Sequence, residues 1–279
     1  MLQDLSFGRL ENQYKNILPR DEDTILCFRN RDVLMLKASD GSVAFPKYSE
    51  ISSCTGGAFR YVFTMQDTKY FLYMFGEIEF SAHNYTYIPV SELRKIETKD
   101  ACFAVMTALH LNEWYRKHRY CGCCAHETAH DDKERMLYCP NCGSMIFPVI
   151  CPAVIIALTD GDRLLLSKYA GRSYSRYALL AGYTEIGETL EQTVEREVME
   201  EVGLKVKNIR YYKSQPWGVD GSVLMGFYCD LSGDDTIHLD ETELSLAQWH
   251  NRYSLPAHDD GISLTREMIR MFEEGKEPK

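Results

Sequence analysis

The stretch GYTEIGETLEQTVEREVMEEVGL, Gly182 to Leu204, combines an apolar repeat with a run of carboxylates. Leu190, Val194, Val198 and Val202 recur every four residues. That period predicts a helix beginning near Thr189 that buries one narrow stripe, and Gly203 suits the position just past its end. On such a helix Glu197 and Glu201 lie one turn apart with Glu200 beside them, so three carboxylates crowd the edge of the buried stripe. Like charges at that spacing repel. A solvated acidic face is the bland account. A divalent cation is the better one, because hard Mg2+ or Mn2+ takes carboxylate oxygens and shares its shell with phosphates. Arg196 is expected to fix the loop before the helix by pairing with a carboxylate such as Glu188.

Gly182, Glu188, Arg196, Glu197, Val198, Glu200, Glu201, Gly203 and Leu204 satisfy every position of the pattern G-x5-E-x7-R-E-U-x-E-E-x-G-U, where U is bulky and aliphatic. Chance is a poor explanation for so many constrained positions in one short stretch. The chain therefore resembles the Nudix hydrolases, which cleave a nucleoside diphosphate linked to another moiety. The resemblance implies an α/β/α fold with a mixed sheet.

A second signal precedes it. Cys121-x2-Cys124 is followed, after fourteen residues, by Cys139-Pro-Asn-Cys142-Gly. Two such knuckles present four thiolates to a tetrahedral Zn2+, whereas one alone could be a redox pair. Cys123, His126 and His130 could compete for the metal. The four cysteines are favoured because both pairs have the same spacing. With every ligand supplied by protein, the zinc is expected to be structural.

Ribbon followed by box narrows the resemblance to the NADH pyrophosphatases of the NudC type, some of which also remove NAD caps from RNA. Ser214-Gln215-Pro216-Trp217 matches the hallmark of that branch, and Glu243 to Trp249 matches an acid-aliphatic-x-x-Ala-x-Trp signature. The likeness covers roughly Asp100 to Met268. It implies that Glu197, Glu200 and Glu201 are catalytic, that Glu243 joins them as a metal ligand, and that Gly182, Glu188, Arg196 and Gly203 shape the box. It implies further that Tyr183 packs on a nucleobase and that Gln215, Trp217, Ser222 and Thr265 line the substrate site. Trp217 could instead be core, as large aromatics usually are. One of the box glutamates, Glu188 included, is expected to serve as base. The expected reaction on NAD(H) gives nicotinamide mononucleotide and AMP, with NAD-capped RNA 5′ ends as an extension and a homodimer as the assembly. Two alternatives stand beside it: a Nudix enzyme for ADP-ribose or dinucleoside polyphosphates, and a non-catalytic nucleotide sensor, disfavoured because all box glutamates are present. Gly218-Val219-Asp220-Gly221 departs from the prolines common in the branch, so that loop is expected to be mobile, and restoring prolines should favour NADH.

Composition sets the background. The 279 residues are 45% hydrophobic, enough for a substantial core, and carry a net charge of -10, which argues against broad nonspecific nucleic-acid binding. Without a signal sequence or long apolar run, the chain is expected in the cytoplasm with reduced thiols and no membrane contact. The pattern predicts an α+β chain in three parts: an antiparallel β-rich domain over 1–99, a helix and zinc ribbon over 100–147, and the Nudix-like domain over 148–279. In the first, strands are expected over Ile25–Phe28, Val33–Leu36, Phe59–Met65, Tyr70–Phe75 and Ile78–Phe80, with a hairpin turn at Asp67-Thr68. A helix should follow, capped by Asp100 and running to about Lys117. In the last, strands are expected over Ala153–Leu158, Arg163–Ser167, Tyr177–Leu180, Val206–Lys213 and Val223–Leu231, then a helix over Ser263–Phe272 and a disordered tail over Glu274–Lys279.

Overall fold

The computed structural model describes residues 1–6, 8–38, 42–51, 56–76, 78, 85–95, 98–171, 176–256 and 261–279. The chain forms two compact units. One comprises Leu2–Val149 and Gly218–Gly221, the other Met1, Ile150–Trp217 and Ser222–Lys279.

In the first unit, β1 (Thr24–Arg29), β2 (Asp32–Lys37), β3 (Val43–Ala44), a short helix α1 (Tyr48–Ile51), β4 (Ala58–Met65), β5 (Thr68–Met74) and β6 (Thr86–Pro89) follow in order. The strands form a sheet ordered β3-β2-β1-β5-β4, with β6 also paired to β2. Alternate residues Ile25, Cys27, Phe71, Tyr73 and Tyr61 share one buried face. The sheet departs from the antiparallel expectation at one place, since β1 and β5 run parallel, Leu26 opposite Leu72. The long connection through β3 and α1 permits that reversal. Met65 pairs with Thr68, so the hairpin turn is Gln66-Asp67, one residue earlier than expected. Both turn residues have positive φ, 48° and 64°, the backbone twist that suits a two-residue hairpin. Ile78 lies outside the strands, and the remainder of the strand expected there lies outside the described residues.

Thr98 occupies the N-cap position of helix α2 (Lys99–Lys117), without a side-chain capping hydrogen bond. Asp100 falls in its first turn instead, where a carboxylate suits the positive helix end, and accepts a hydrogen bond from Ser6 Oγ at 3.2 Å. After it come the ribbon strands β7 (Ala129–His130), β8 (Leu137–Tyr138) and β9 (Met145–Ile146).

The second unit contains β10 (Cys151–Asp160), β11 (Arg163–Tyr169), β12 (Leu180–Tyr183), α3 (Leu190–Val202), β13 (Val206–Trp217), β14 (Ser222–Leu231), β15 (Leu244–Asn251) and α4 (Leu264–Glu273). The sheet runs β13-β14-β10-β11-β15, with β12 also on β10. β10 and β14 are parallel and the other pairs antiparallel, so the sheet is mixed. Strand alternation explains the layers. Val154, Ile156 and Leu158 of β10 face Val194, Val198 and Val202 of α3, while Ile155 and Ala157 face Leu264, Met268 and Phe272 of α4.

Three local expectations change here. The strand feeding the box is Leu180–Tyr183, reached after Ala178 makes an isolated bridge to Ser167. β13 continues through Trp217, so the SQPW segment is strand and not loop. The carboxy-terminal tail is held: Glu277 Oε1 accepts from Arg252 Nη2 at 2.7 Å, and the Pro278 carbonyl from Arg210 Nε at 3.0 Å. Arg210 on β13 and Arg252, just past the end of β15, supply partners that the tail's own composition does not reveal.

Candidate active site

Helix α3 begins and ends as its sequence dictates. Thr189 Oγ1 accepts from the Gln192 amide at 3.2 Å, while the Thr189 amide donates to Gln192 Oε1 at 2.8 Å, a reciprocal box that satisfies two free donors. Gly203 closes the helix at φ 69°, its amide bonded to the Met199 carbonyl. Glu197 and Glu201 share the buried side with Val194, Val198 and Val202, whereas Glu200 is exposed. Gly182 on β12 lies directly against Glu197, and a Cβ there would overlap the carboxylate. Glycine at the head of the motif is thus a packing requirement.

Arg196 organises the loop. Its Nε and Nη2 grip Glu188 at 2.6 and 3.1 Å, Nη1 reaches Glu197 and Glu200 at 2.8 Å each, and Nη2 also donates to the Tyr183 carbonyl at 2.8 Å. The planar fork ties the end of β12, the loop and the helix together, which a lysine could not do. Glu188 also accepts from the Glu185 amide at 3.1 Å and Thr193 Oγ1 at 3.0 Å. Hydrogen bonds from Arg196 and that amide hold its carboxyl down to about 2. Held in this way, Glu188 braces the loop, and its lowered carboxyl makes it a weaker proton acceptor. Thr193, a buried polar residue in a stripe otherwise of valines, was not singled out from sequence, although its place one turn after Thr189 was the available signal.

Glu201 is the opposite case. It is 2% exposed, and neither carboxylate oxygen has a hydrogen-bond partner. Burial, then repulsion from Glu197 and Glu243, pushes its carboxyl up to about 8, against a partial offset from the nearby Ala181 amide. Burial raises Glu197 as well. Glu243 lies in the turn before β15, close enough to repel both. The oxygens of the four glutamates do not converge into a closed ligand set; Glu197 and Glu200 lean on Arg196 instead. Two orphaned buried oxygens among neighbouring carboxylates nevertheless fit a hard divalent cation, because a cation would meet that unmet demand and relieve the repulsion.

The ribbon cysteines do converge. Sγ atoms of Cys121, Cys124, Cys139 and Cys142 lie within 4.8 Å of one another, with Cys121–Cys142 at 3.6 Å and Cys124–Cys139 at 3.4 Å. Tetrahedral zinc with Zn–S bonds of about 2.3 Å spaces its sulfurs by about 3.8 Å, so the cluster fits Zn2+. Cys123, His126 and His130 are outside the set. The Cys123 and Cys124 amides point at Cys121 and lower its thiol to about 6, favouring the ligating thiolate. None of the described cysteines forms a disulfide.

Comparison with known families matches residues 150–272 to the NUDIX domain and residues 116–147 to the NADH pyrophosphatase zinc ribbon domain. This chain carries a Nudix domain. Curated relatives include a NAD-capped RNA hydrolase NudC of Pectobacterium atrosepticum, 41% identical over 57% of this chain and 61% of that protein. Another of the same name from Haemophilus influenzae is 38% identical over 58% of this chain and 62% of its own length. The chain thus spans about three-fifths of the relatives it matches. Among solved structures, a NUDIX hydrolase from Nitrosomonas europaea covers 56% of this chain and 91% of its own, at 24% identity and a TM-score of 0.48.

The remaining candidates lie at one end of the Nudix sheet or on α4. Tyr183, 54% exposed at the end of β12, has its hydroxyl 3.2 Å from Ser222 Oγ at the start of β14. Trp217 pairs with Ser222 across β13 and β14 and is 9% exposed. Thr265 sits half-buried in the first turn of α4. Gln215 departs from the expected substrate contact. It is wholly buried, its Nε2 donates to the Ile262 carbonyl and its Oε1 accepts from the Leu264 amide, each at 2.8 Å. Its amide ties β13 to the start of α4 from a fully buried position. His118 Nδ1 lies 2.7 Å from the Trp114 carbonyl and His110 Nε2 2.8 Å from that of Val149, consistent with structural roles.

The Gly218–Gly221 turn also corrects its expectation. A Cβ on Gly218 would overlap the Met106 carbonyl, Gly221 has φ 71°, and Arg31 Nη2 donates to the Val219 carbonyl at 2.8 Å. The glycines permit close approach and a left-handed backbone at a turn held from outside, so prolines would disrupt it.

Proposed function

We propose that this protein hydrolyses the pyrophosphate bond of NAD(H), giving nicotinamide mononucleotide and AMP, and that it accepts NAD-capped RNA through the same site. The observation that carries the reading is the buried Glu201, with unpartnered oxygens, beside Glu197 and Glu243 and one turn from the intact Arg196–Glu188 brace. The NudC relatives and the paired ribbon and Nudix matches support the substrate class. Glu197, Glu200, Glu201 and Glu243 would hold Mg2+ or Mn2+. When bound, the cation neutralises the diphosphate and lowers the pKa of water. We take one of the helix carboxylates as the acceptor of the water's proton, with Glu200 the exposed member of the trio. Arg196 keeps the Glu188 loop and the trio in register, while the Tyr183 ring offers a stacking face for a base. We place the protein in the cytoplasm as a homodimer; among the described residues no helix is long and apolar enough to cross a membrane.

The test is hydrolysis of NADH, NAD, ADP-ribose and an NAD-capped RNA oligomer side by side, with Mg2+ and then Mn2+. NADH or the capped RNA should give mononucleotide products at far higher kcat/KM than ADP-ribose. Preference for ADP-ribose, or no cleavage, would overturn the assignment.

A further inference from the structure

Thr193 stands at the end of the first turn of α3 and is wholly buried. A valine has the same shape, so packing gives no reason for a hydroxyl here, and burying one costs free energy unless it is bonded. The hydroxyl has two acceptors in reach, the Thr189 carbonyl at 3.1 Å and Glu188 Oε2 at 3.0 Å. A threonine in any helix finds the first, one turn back. That carbonyl already accepts from the Thr193 amide at 3.0 Å, so it is satisfied without the hydroxyl. The bond to Glu188 is what the hydroxyl adds.

Glu188 is held from three sides. Arg196 takes both oxygens, Nε to Oε1 at 2.6 Å and Nη2 to Oε2 at 3.1 Å, while the Glu185 amide meets Oε2 from the loop at 3.1 Å. Thr193 supplies the contact from the buried side of the helix. With Glu188 fixed, the remaining Nη1 of Arg196 bonds Glu197 Oε1 and Glu200 Oε2 at 2.8 Å each. A Glu188 carboxylate that turned would carry the guanidinium with it, because the fork is planar and rigid. We propose that Thr193 is a positioning residue for the hydrolytic site: its hydroxyl fixes the Glu188 carboxylate, and through Arg196 it sets where Glu197 and Glu200 stand to receive a divalent cation. This rests on the functional reading above, which takes those two carboxylates as ligands. Tyr183 keeps its place through the pairing of β12 with β10 and through Ser222 Oγ. The effect therefore falls on cation binding and the chemical step, and not on affinity for the dinucleotide.

The experiment compares the zinc-loaded protein with Thr193→Val, Thr193→Ser and Thr193→Ala, measuring kcat and KM for NADH, binding of Mn2+ without nucleotide, and thermal melting. Thr193→Val should lower kcat about five- to tenfold, the loss of one hydrogen bond to a charged group, with KM within about twofold. Its Mn2+ affinity should fall about three- to tenfold, less than for loss of a residue bonded directly to a ligand. Melting should stay close to wild type, since the shape is kept and Glu188 retains its other donors. Thr193→Ser keeps the hydroxyl and should recover kcat and Mn2+ affinity while melting lower for want of the methyl. Thr193→Ala set against Thr193→Ser repeats the hydroxyl comparison with the methyl absent from both, and decides the matter if Thr193→Val does not fold. Wild-type kcat and Mn2+ affinity in Thr193→Val, or equal losses in Thr193→Ser and Thr193→Ala, would overturn the proposal. A wild type inactive on every dinucleotide would overturn the functional reading, while Mn2+ binding still decides whether the hydroxyl positions the carboxylates.

Discussion

The ribbon supplies four candidate metal ligands, and the Nudix helix supplies three with Glu243 as a fourth from the turn before β15, yet the two sets are gathered differently. The four sulfurs already stand near tetrahedral edge distances, with backbone amides aimed at Cys121. The four glutamates form no such closed set: Glu197 and Glu200 share Arg196 Nη1, while Glu201 is buried without a partner. A closed set completes a fold and leaves no coordination position for substrate. An open set keeps unmet electrostatic demand, which is available for binding a cation together with phosphates. The difference separates a structural centre from a working one.

The sharpest way to break this comparison is Glu201→Gln. Turnover should fall by at least about a thousandfold, roughly 4 kcal/mol, while the fold persists, as read by steady-state assay and circular dichroism. The same variant tests the electrostatics. Between pH 4.5 and about 8 the folded protein keeps a proton on Glu201 that the unfolded chain releases. Stability without added divalent cation should therefore decline as pH rises through that window. Glu201→Gln removes this contribution, so at pH 8 the variant should be more stable than the wild type by on the order of a few kcal/mol, read as a higher melting temperature. Near-normal activity, or a lower melting temperature at pH 8, would remove Glu201 from the centre of the site.

Next comes the brace. Arg196→Lys keeps the charge and loses the fork, and should lower kcat by about ten- to a hundredfold while costing about 1–2 kcal/mol of stability. Activity equal to wild type would mean that charge alone suffices. The smallest effect belongs to the ribbon: Cys123→Ser should retain full zinc content and melting temperature, whereas Cys142→Ser should lose zinc. Zinc loss in Cys123→Ser would contradict the closed four-sulfur set.

Much of this site was legible because its spacing is local. The repeat from Leu190 to Val202 marks a helix face, and the knuckle spacing marks the cluster. Reading failed where distant chain decides the outcome. Gln215 reads as a substrate residue by its motif, but the backbone of Ile262 and Leu264 claims its amide. The two glycines of Gly218–Gly221 read as freedom, yet Met106 and Arg31 convert them into close contacts. The tail from Glu274 lacks apolar residues, but Arg252 and Arg210 hold it.

By itself the sequence determined which residues share a helix face, where that helix begins and ends, and which four thiols meet, because backbone geometry converts spacing into direction over a few residues. Only the tertiary structure decided that Glu201 is buried without a partner, that Glu188 is held by Arg196, Thr193 and the Glu185 amide, and that Gly182 makes room for Glu197. Those outcomes depend on burial and on partners far away in the chain, and neither leaves a local period to read.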